Sequence, residues 1–311
     1  MKRVAAIDCG TNSVRLLVAD IDGDELVDLT RRMEIVRLGQ GVDRTGRLAA
    51  EALDRTFTAM RDYAKVIAQH EAQAVRVVAT SATRDAANRH EFVDGVREIF
   101  GVEPEVVPGA EEARLSFVGA TRELARAGLS ARPPYLVVDI GGGSTEFVVG
   151  EGEGEVDGAL SVDIGCVRLA ERHLKSAGDP PSAVAVAAVT ADIDAALDLV
   201  AARVPVGEAR TLVGLAGSVT TVSGIALDLP EYDSERLHHS VISAETSHEV
   251  SRRLLAMTHA ERAAIPVMHP GRVDVIGAGA LILDRIVTRF EFGEVIVSEH
   301  DILDGIAWSI S

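Results

Sequence analysis

Short apolar runs and amphipathic stretches alternate along the chain, and they predict strands and helices in turn. Leu53, Phe57, Met60, Ala64 and Ile67 recur at spacings of three and four residues, the period of one helix face. Further helices are predicted at 114–127, 167–177, 184–203, from about 219, and at 245–257, 272–290 and 301–310. Strands are predicted at 4–8, 14–21, 75–80, 102–107, 135–139, 146–149, 211–216 and 294–298. This alternation is typical of an α/β protein.

One segment occurs twice, as VAAIDCGTNSVRLLVADI at 4–21 and as LVVDIGGGSTEFVVGE at 136–151. Each copy has a strand, an Asp, a glycine-bearing turn, a Ser and a second strand. At a constant offset of 131 residues, the corresponding pairs are Asp8 and Asp139, Gly10 and Gly141, Ser13 and Ser144, and Arg15 and Glu146. The repeat predicts two related domains that face each other across a cleft.

The stretch GLSARPP at 128–134 has the Gly, Ser and Pro content of a domain junction. We therefore expect a first domain at 1–127, completed by the last helix at 301–311. The second domain is expected at 128–300.

The composition excludes several classes of protein. No apolar run approaches the roughly 20 residues that a membrane-spanning helix needs, and the N-terminus lacks the apolar run of a signal peptide, so a cytoplasmic location is expected. Two distant cysteines, Cys9 and Cys166, form neither a disulfide framework nor a cysteine zinc motif. A net charge of −17 argues against nucleic acid or an anionic membrane as a partner. An anionic ligand would require a local cationic pocket or a metal ion.

The two glycine turns are candidate anion sites. Successive glycines let backbone N–H groups converge without side-chain crowding, and hydroxyl donors add to them. Those donors are Thr11, Ser13, Ser144 and Thr145. A single turn of this kind is better explained as a tight hairpin, whereas the repetition favours phosphate binding. Neither turn fits the P-loop or the dinucleotide-binding pattern.

Asp8 and Asp139 each end a strand beside one of these turns. A carboxylate next to a bound phosphate repels it unless a divalent cation lies between them, and Mg²⁺ commonly binds one or two carboxylates together with phosphate oxygens. The alternative for an isolated Asp is a side chain that caps the turn. Asp139, beside three glycines, is the better metal candidate.

Three further motifs follow predicted strands. ATSATRDAAN at 79–88 offers Ser81 and Arg84 to an anion, although helix capping explains its hydroxyls equally well. Arg84 and Arg15 either clamp phosphoryl oxygens or are surface charges. VGLAGSVTTVSG at 213–224 places Gly217 and Ser218 at a helix start, which is a weak signal for a phosphate or nucleoside site.

PGAEEARLSF at 108–117 places Glu111 and Glu112 at a helix start, where the helix dipole favours acidic side chains. This effect explains either residue. A carboxylate that points into a cleft would instead orient or deprotonate a water molecule.

Together these motifs resemble the exopolyphosphatase and guanosine pentaphosphate phosphohydrolase (Ppx/GppA) family. The resemblance also includes RVDVIGAGALIL at 272–283 and VSEHDILDGI at 297–306, and therefore runs along nearly the whole chain. The chain is similar to short actinobacterial-type members that lack the C-terminal helical HD-type domain. The resemblance implies two actin-like (ribonuclease H-like) α/β domains around a central cleft, the fold shared by sugar kinases, actin and heat-shock chaperones.

The resemblance also implies a reaction, in which the terminal phosphate of inorganic polyphosphate, in short chains, is hydrolysed with Mg²⁺ or Mn²⁺. Glu112 takes the water-activating role, Glu146 holds metal or water, and Asp139 and Asp8 are metal ligands. The phosphate-binding residues that it implies are Gly10, Thr11, Asn12, Ser13, Arg15, Ser81, Arg84, Gly141, Gly142, Gly143, Ser144, Thr145, Gly217 and Ser218. A homodimer and a link to the stringent response are also expected.

Other functions of the same fold stay open at this point. Guanosine pentaphosphate, or its tetraphosphate, is an alternative substrate or an inhibitor. A kinase would pass phosphate to an alcohol, and a non-enzymatic regulator would bind polyphosphate or alarmone without turnover. The nine histidines, which include His238, His239, His269 and His300, form no metal-ligand spacing. Surface or interface roles are therefore predicted for them.

Overall fold

The computed structural model describes residues 2–124, 131–152 and 154–310. Its chain divides into two compact units, Met1–Gly119 with Ile302–Ser311, and Ala120–Asp301. The predicted boundary after residue 127 lies outside the described residues, as does the start of the predicted junction at 128–134. The boundary therefore stays a prediction.

The first unit contains a mixed five-stranded sheet in its described part, in the order β3-β2-β1-β4-β5. The strands β1 and β2 pair antiparallel, as do β2 and β3, whereas β4 lies parallel to both β1 and β5. These strands are β1 Lys2–Cys9, β2 Ser13–Asp22, β3 Glu25–Ile35, β4 Ala74–Ala79 and β5 Glu105–Val106.

The second unit contains a six-stranded sheet in its described part, in the order β10-β11-β9-β6-β7-β8. Its strands are β6 Tyr135–Ile140, β7 Thr145–Gly150, β8 Gly158–Val162, β9 Thr211–Leu215, β10 Val241–Ser243 and β11 Glu294–Val297. From β8 to β11 the order and the strand directions repeat those of the first sheet, with β6 parallel to β9 and antiparallel to β7. The repeat therefore extends over a whole sheet, and the predicted class of two actin-like α/β domains is confirmed.

Helices connect and cover the strands. In chain order they are α1 Val42–Thr45, α2 Ala50–Gln69, α3 Ser81–Asp85, α4 Arg89–Phe100, α5 Gly109–Thr121, α6 Cys166–Leu169, α7 Ala183–Arg203, α8 Ala216–Ala226, α9 Ser234–Leu237, α10 Ala244–Ala256, α11 His259–Ala263, α12 Ile276–Arg289 and α13 Ile302–Ser309. The helix α6 continues as a π-helical turn over Ala170–Leu174. No helix in the described ranges has the length and apolarity that crossing a membrane demands.

Both faces of the first sheet are buried, because successive residues of a strand point to opposite faces. On β1, Ile7 joins the apolar cluster that contains Phe92 of α4, whereas Ala6 joins the cluster that contains Trp308 of α13. The last helix therefore completes the core of the first unit. In the second unit, alternate residues of β6 pack with α7 and α12 in one large cluster.

Several elements differ from the sequence-based expectations. β5 covers only two of the residues predicted as a strand at 102–107, and α5 begins at Gly109 rather than at residue 114. β3, β8, β10 and α4 were not predicted. β3 shows why, since most of its side chains are partly or fully exposed and charged residues interrupt its apolar positions.

Candidate active site

The carboxyl ends of β1, β4 and β5 lie at one edge of the first sheet, because these three strands are parallel neighbours. In open α/β sheets ligands bind outside this edge. The turn at 10–13 follows β1, α3 follows β4, and α5 follows β5 after a short connection. The first unit thus brings its predicted residues together at one sheet edge.

The turn at 10–13 is closed by a hydrogen bond from the Gly10 N–H to the Ser13 carbonyl, at 2.9 Å. The Thr11 carbonyl accepts from the Gly39 N–H at 2.8 Å, and the Asn12 carbonyl accepts from the Arg37 N–H at 2.8 Å. In a trans peptide the N–H points away from the preceding carbonyl. The N–H groups of Asn12 and Ser13 therefore point away from the segment that anchors these carbonyls, in a direction suited to an anion.

Asp8 and Arg15 lie directly opposite each other on β1 and β2. Arg15 donates from Nε and Nη2 to Oδ2 of Asp8, at 3.0 and 2.7 Å, and Asp8 is buried. The structure thus joins a residue predicted to bind metal to one predicted to bind phosphate. Both roles stay predictions.

Glu112 is buried in the first turn of α5, where Nη1 of Arg84 donates to its Oε2 at 2.8 Å. The same Nη1 donates to the carbonyl of Val107 at 3.0 Å, which fixes the guanidinium beside the end of β5. Ser81, the first residue of α3, is buried at the same sheet edge. These contacts bring together the motifs ATSATRDAAN and PGAEEARLSF of the first unit.

Glu111 has a different environment from its neighbour. Arg114 donates to both of its carboxylate oxygens, at 2.9 and 2.8 Å, and 30% of its side chain is exposed. Hydrogen bonding by Arg114 lowers the pKa of the Glu111 carboxyl. The helix dipole accounts for an acidic residue at either position. In the structure, however, Glu111 forms a surface ion pair, whereas Glu112 is a buried carboxylate.

The second glycine turn has the same hydrogen bond as the first, from the Gly141 N–H to the Ser144 carbonyl at 3.0 Å. The start of α6 holds its other carbonyls. The Gly141 carbonyl accepts from the Cys166 N–H at 3.0 Å, and the Gly142 carbonyl accepts from the Val167 N–H at 2.9 Å. By the same peptide geometry, the N–H groups of residues 142 and 143 point away from α6.

Arg168 and Gly165 position this turn, and neither was predicted from the sequence. Arg168 donates from Nε to the Gly143 carbonyl at 2.6 Å. A Cβ at Gly165 would lie 2.2 Å from the Gly142 carbonyl oxygen, so only glycine allows this approach. Gly39 has the equivalent place in the first unit, where a Cβ would lie 2.3 Å from Cγ2 of Thr11. The sequence feature that could have identified both glycines is their position, because each follows the third strand of its copy, β3 or β8.

Asp139 and Glu146 lie directly opposite each other on β6 and β7, and both are buried. Ser161 of β8 donates a hydrogen bond to Oε1 of Glu146 at 2.7 Å. Like charges in opposite positions of neighbouring strands destabilise a sheet. Carboxylates are among the ligands of Mg²⁺, which binds one or two of them together with substrate phosphates, and the predicted metal role of Asp139 and Glu146 stays a prediction.

Thr145 and Ser144 differ in what surrounds them. The Thr145 hydroxyl is fully buried and donates to the Ile164 carbonyl at 2.5 Å, so it ties β7 to the loop after β8. Ser144 is buried within the turn itself. The contribution of both to phosphate binding stays a prediction.

Gly217 and Ser218 lie in the first turn of α8, which follows β9 at the same sheet edge as the second glycine turn. Arg272 donates from Nη1 to the Gly217 carbonyl at 3.2 Å, and a Cβ at Gly217 would lie 2.2 Å from its Cζ. The guanidinium thus packs flat against the start of α8. Arg272 belongs to the RVDVIGAGALIL motif, but no role was predicted for it from the sequence.

Comparison with known proteins identifies relatives along the whole chain. Residues 17–310 match the Ppx/GppA phosphatase family. Exopolyphosphatase 2 of Mycobacterium tuberculosis is 48% identical, over 100% of this chain and 99% of that protein. A bifunctional 3-dehydroquinate synthase/phosphatase of Fusobacterium nucleatum is 32% identical, over 97% of this chain and 45% of that protein.

Solved structures give the same result. An exopolyphosphatase-like protein has a TM-score of 0.95 and 43% identity, and the alignment covers 100% of this chain and 98% of that one. The Aquifex aeolicus Ppx/GppA family member has a TM-score of 0.82 and 31% identity, and the alignment covers 99% of this chain and 97% of that one. Sequence, fold and relatives agree that the chain belongs to the Ppx/GppA phosphatase family.

Proposed function

We propose that this protein is an exopolyphosphatase that removes the terminal phosphate from short chains of inorganic polyphosphate with the help of Mg²⁺. The observation that supports it best is the twofold occurrence of one anion-binding turn. Each turn has its carbonyls anchored on one side, which directs N–H groups to the other. The turn recurs in the second unit, so the chain has two anion-binding elements of one kind, which favours a phosphate compound as the ligand.

In the proposed reaction, a water oxygen attacks the terminal phosphorus while the bridging P–O bond breaks. Glu112 accepts the proton of the water, and the products are inorganic phosphate and a chain shortened by one unit. Arg84 holds the Glu112 carboxylate in place through the 2.8 Å hydrogen bond. Glu111 is unsuited to this role, because Arg114 occupies both of its oxygens.

Substrate binding relies on charge neutralisation, since phosphoryl transfer is mostly positioning and electrostatic stabilisation. The turns at 10–13 and 141–144 donate N–H groups to phosphate oxygens, and Arg15 and Arg84 contribute positive charge. Asp139 and Glu146 would hold Mg²⁺, which supplies charge neutralisation at the phosphate. This neutralisation matters in a protein with a net charge of −17.

Phosphate release from purified protein tests the proposal. We expect continuous release from defined short polyphosphates with Mg²⁺, without any acceptor alcohol, and loss of release when a chelator removes Mg²⁺. Guanosine pentaphosphate and nucleoside triphosphates, assayed in parallel, measure the preference among phosphate chains. Transfer of phosphate from a nucleoside triphosphate to an added alcohol, without release of inorganic phosphate, would instead indicate a kinase, and tight binding without turnover would indicate a regulator. The predicted homodimer is a separate question for light scattering.

A further inference from the structure

A second group of metal-ligand side chains lies in the unit Ala120–Asp301, away from the glycine turns in sequence. Glu123, His238 and His300 each offer one ligand atom, and these atoms lie within 4.8 Å of one another. Each residue is partly buried. The proposed hydrolysis uses none of the three.

The backbone holds the two histidines near each other. His238 directly follows α9, and the N–H of the next residue, His239, donates to the Val297 carbonyl at 2.7 Å. The Ser298 hydroxyl donates to the His300 carbonyl and accepts from its N–H, at 2.8 and 3.1 Å. The segment after β11 is therefore fixed beside the end of α9.

The three side chains are already in contact. Nδ1 of His300 lies 3.2 Å from Oε2 of Glu123, and the rings of His300 and His238 have centroids 4.5 Å apart. Ligand atoms of a tetrahedral zinc site are about 3.4 Å apart, as follows from metal–ligand bonds of about 2.0–2.1 Å. The ligand atoms, which lie within 4.8 Å of one another, therefore need to approach by at most about 1.4 Å to enclose an ion.

The donor chemistry selects a class of metal. Imidazole nitrogen suits Zn²⁺ and its neighbours in the first transition row, whereas Mg²⁺ prefers an all-oxygen environment. Two histidines and one glutamate form the protein ligand set of zinc sites that keep a fourth position open. Partial exposure of all three residues leaves room for water at that position.

One hydrogen bond opposes metal binding. The Glu299 N–H donates to Nδ1 of His238 at 3.2 Å, which places the proton of the neutral ring on Nε2. A metal ion on this ring must replace that hydrogen bond or shift the proton. The affinity is therefore expected to be lower than that of a preformed, closed zinc site.

We propose that Glu123, His238 and His300 form a binding site for a divalent transition-metal ion of the zinc class. It is separate from the oxygen ligands Asp139 and Glu146 and does not depend on the proposed hydrolysis. Glu123 follows shortly after Gly119, where the chain enters this unit, and His300 comes just before Ile302, where the chain leaves it. A bound ion would tie these two entry and exit segments together.

Metal titration of the full chain tests the site. After removal of metal with a chelator, Zn²⁺ binding is measured by calorimetry, and Co²⁺ binding by its visible absorption bands. We expect one ion per chain, a tetrahedral Co²⁺ spectrum and a higher thermal midpoint with Zn²⁺. His300→Gln and Glu123→Gln should each lower the affinity about tenfold or more. A circular dichroism spectrum and a thermal midpoint without metal establish that each variant is folded.

His248→Ala is the matched control, because the exposed His248 forms a histidine–carboxylate pair with the buried Asp284, at 3.1 Å, outside the proposed site. This variant should bind Zn²⁺ like the wild type, and millimolar Mg²⁺ should not displace the ion. Absence of binding in the wild type would overturn the proposal. Unchanged binding in both His300→Gln and Glu123→Gln would do the same, and so would displacement by Mg²⁺, which would indicate the carboxylates Asp139 and Glu146 instead.

Discussion

Asp139 and Glu146 are opposite partners on two buried antiparallel strands, so two acidic side chains share one face of the sheet. In the first unit the corresponding positions are an acid and a base, Asp8 and Arg15. The same hairpin position thus holds an opposite-charge pair in one unit and a like-charge pair in the other. This difference supports the choice of Asp139 and Glu146 as the Mg²⁺ ligands.

Removing one charge of this pair should separate stability from activity. We expect Asp139→Asn to lose Mg²⁺-dependent phosphate release while the metal-free protein gains about 0.2–1 kcal/mol, the cost of a like-charge pair across two strands. A phosphate-release assay with Mg²⁺ measures the activity, and calorimetry with a chelator measures the stability of the metal-free protein. The exposed Glu151→Gln serves as the control and should change neither. A metal-free Asp139→Asn protein less stable than the wild type would contradict the repulsion argument.

The adjacent acids of α5 offer a matched pair of substitutions. Glu112→Gln should reduce kcat by about 10²–10⁴-fold, because an amide cannot accept the proton of the attacking water. Glu111→Gln removes ion pairs with Arg114 and, at 3.9 Å, with Arg76, and should leave kcat within a few-fold of the wild type. Steady-state phosphate release with saturating polyphosphate compares the two. Equal losses in both variants would argue that helix stability, rather than proton transfer, is affected.

Gly165 and Gly207 differ in the space around them. A Cβ at Gly165 would overlap the backbone of Gly142, so Gly165→Ala should destabilise the protein by about 1–3 kcal/mol and raise KM by displacing the turn. A Cβ at Gly207 meets nothing within 4 Å, and Gly207→Ala should leave stability and KM unchanged or slightly improve stability. Urea unfolding and substrate titration measure both effects. A Gly165→Ala enzyme with wild-type KM would show that the turn tolerates displacement.

Asp192 should contribute to the loss of stability in acid. Hydrogen bonding by His173, together with Arg172, lowers the pKa of its carboxyl below the ordinary value of 3.8. As the pH falls through that range, the unfolded chain binds the proton first, so the stabilisation present above pH 4 is lost as the pH approaches the folded-state pKa. The thermal midpoint of Asp192→Asn should therefore fall less steeply than that of the wild type as the pH is lowered from 5 to 3. An unchanged pH profile would exclude this contribution.

The sequence predicts the hairpins well because their information is local. The constant offset between Asp8 and Asp139, with glycines and a serine after each, fixes two copies of one strand–turn–strand unit. It does not predict β3, because the charged residues of ELVDLTRRMEI hide the alternation of a strand that is largely exposed. Loss of a buried face removes the pattern on which such predictions rest.

Contacts between residues that are far apart in the sequence are the other part of the structure that could not be predicted from it. Arg168 anchors Gly143 through a hydrogen bond that joins the start of one helix to a turn many residues earlier. Glu123, His238 and His300 come from three separate segments, and no spacing in the sequence connects them. The choice of Glu112 over Glu111 came from the family motif, since the helix dipole favours both equally, and the structure adds burial and the Arg84 contact as physical reasons.

The helix α13 has a consequence for how this protein is made. Its residues Ile302, Ile306 and Trp308 complete one face of the core of the first unit, yet they are synthesised after the whole of Ala120–Asp301. Domains generally fold as units during synthesis. On the ribosome the second unit can therefore fold first, while the first unit waits with an exposed apolar sheet face. Chaperone binding to nascent chains should accordingly concentrate on the N-terminal third and end when α13 emerges.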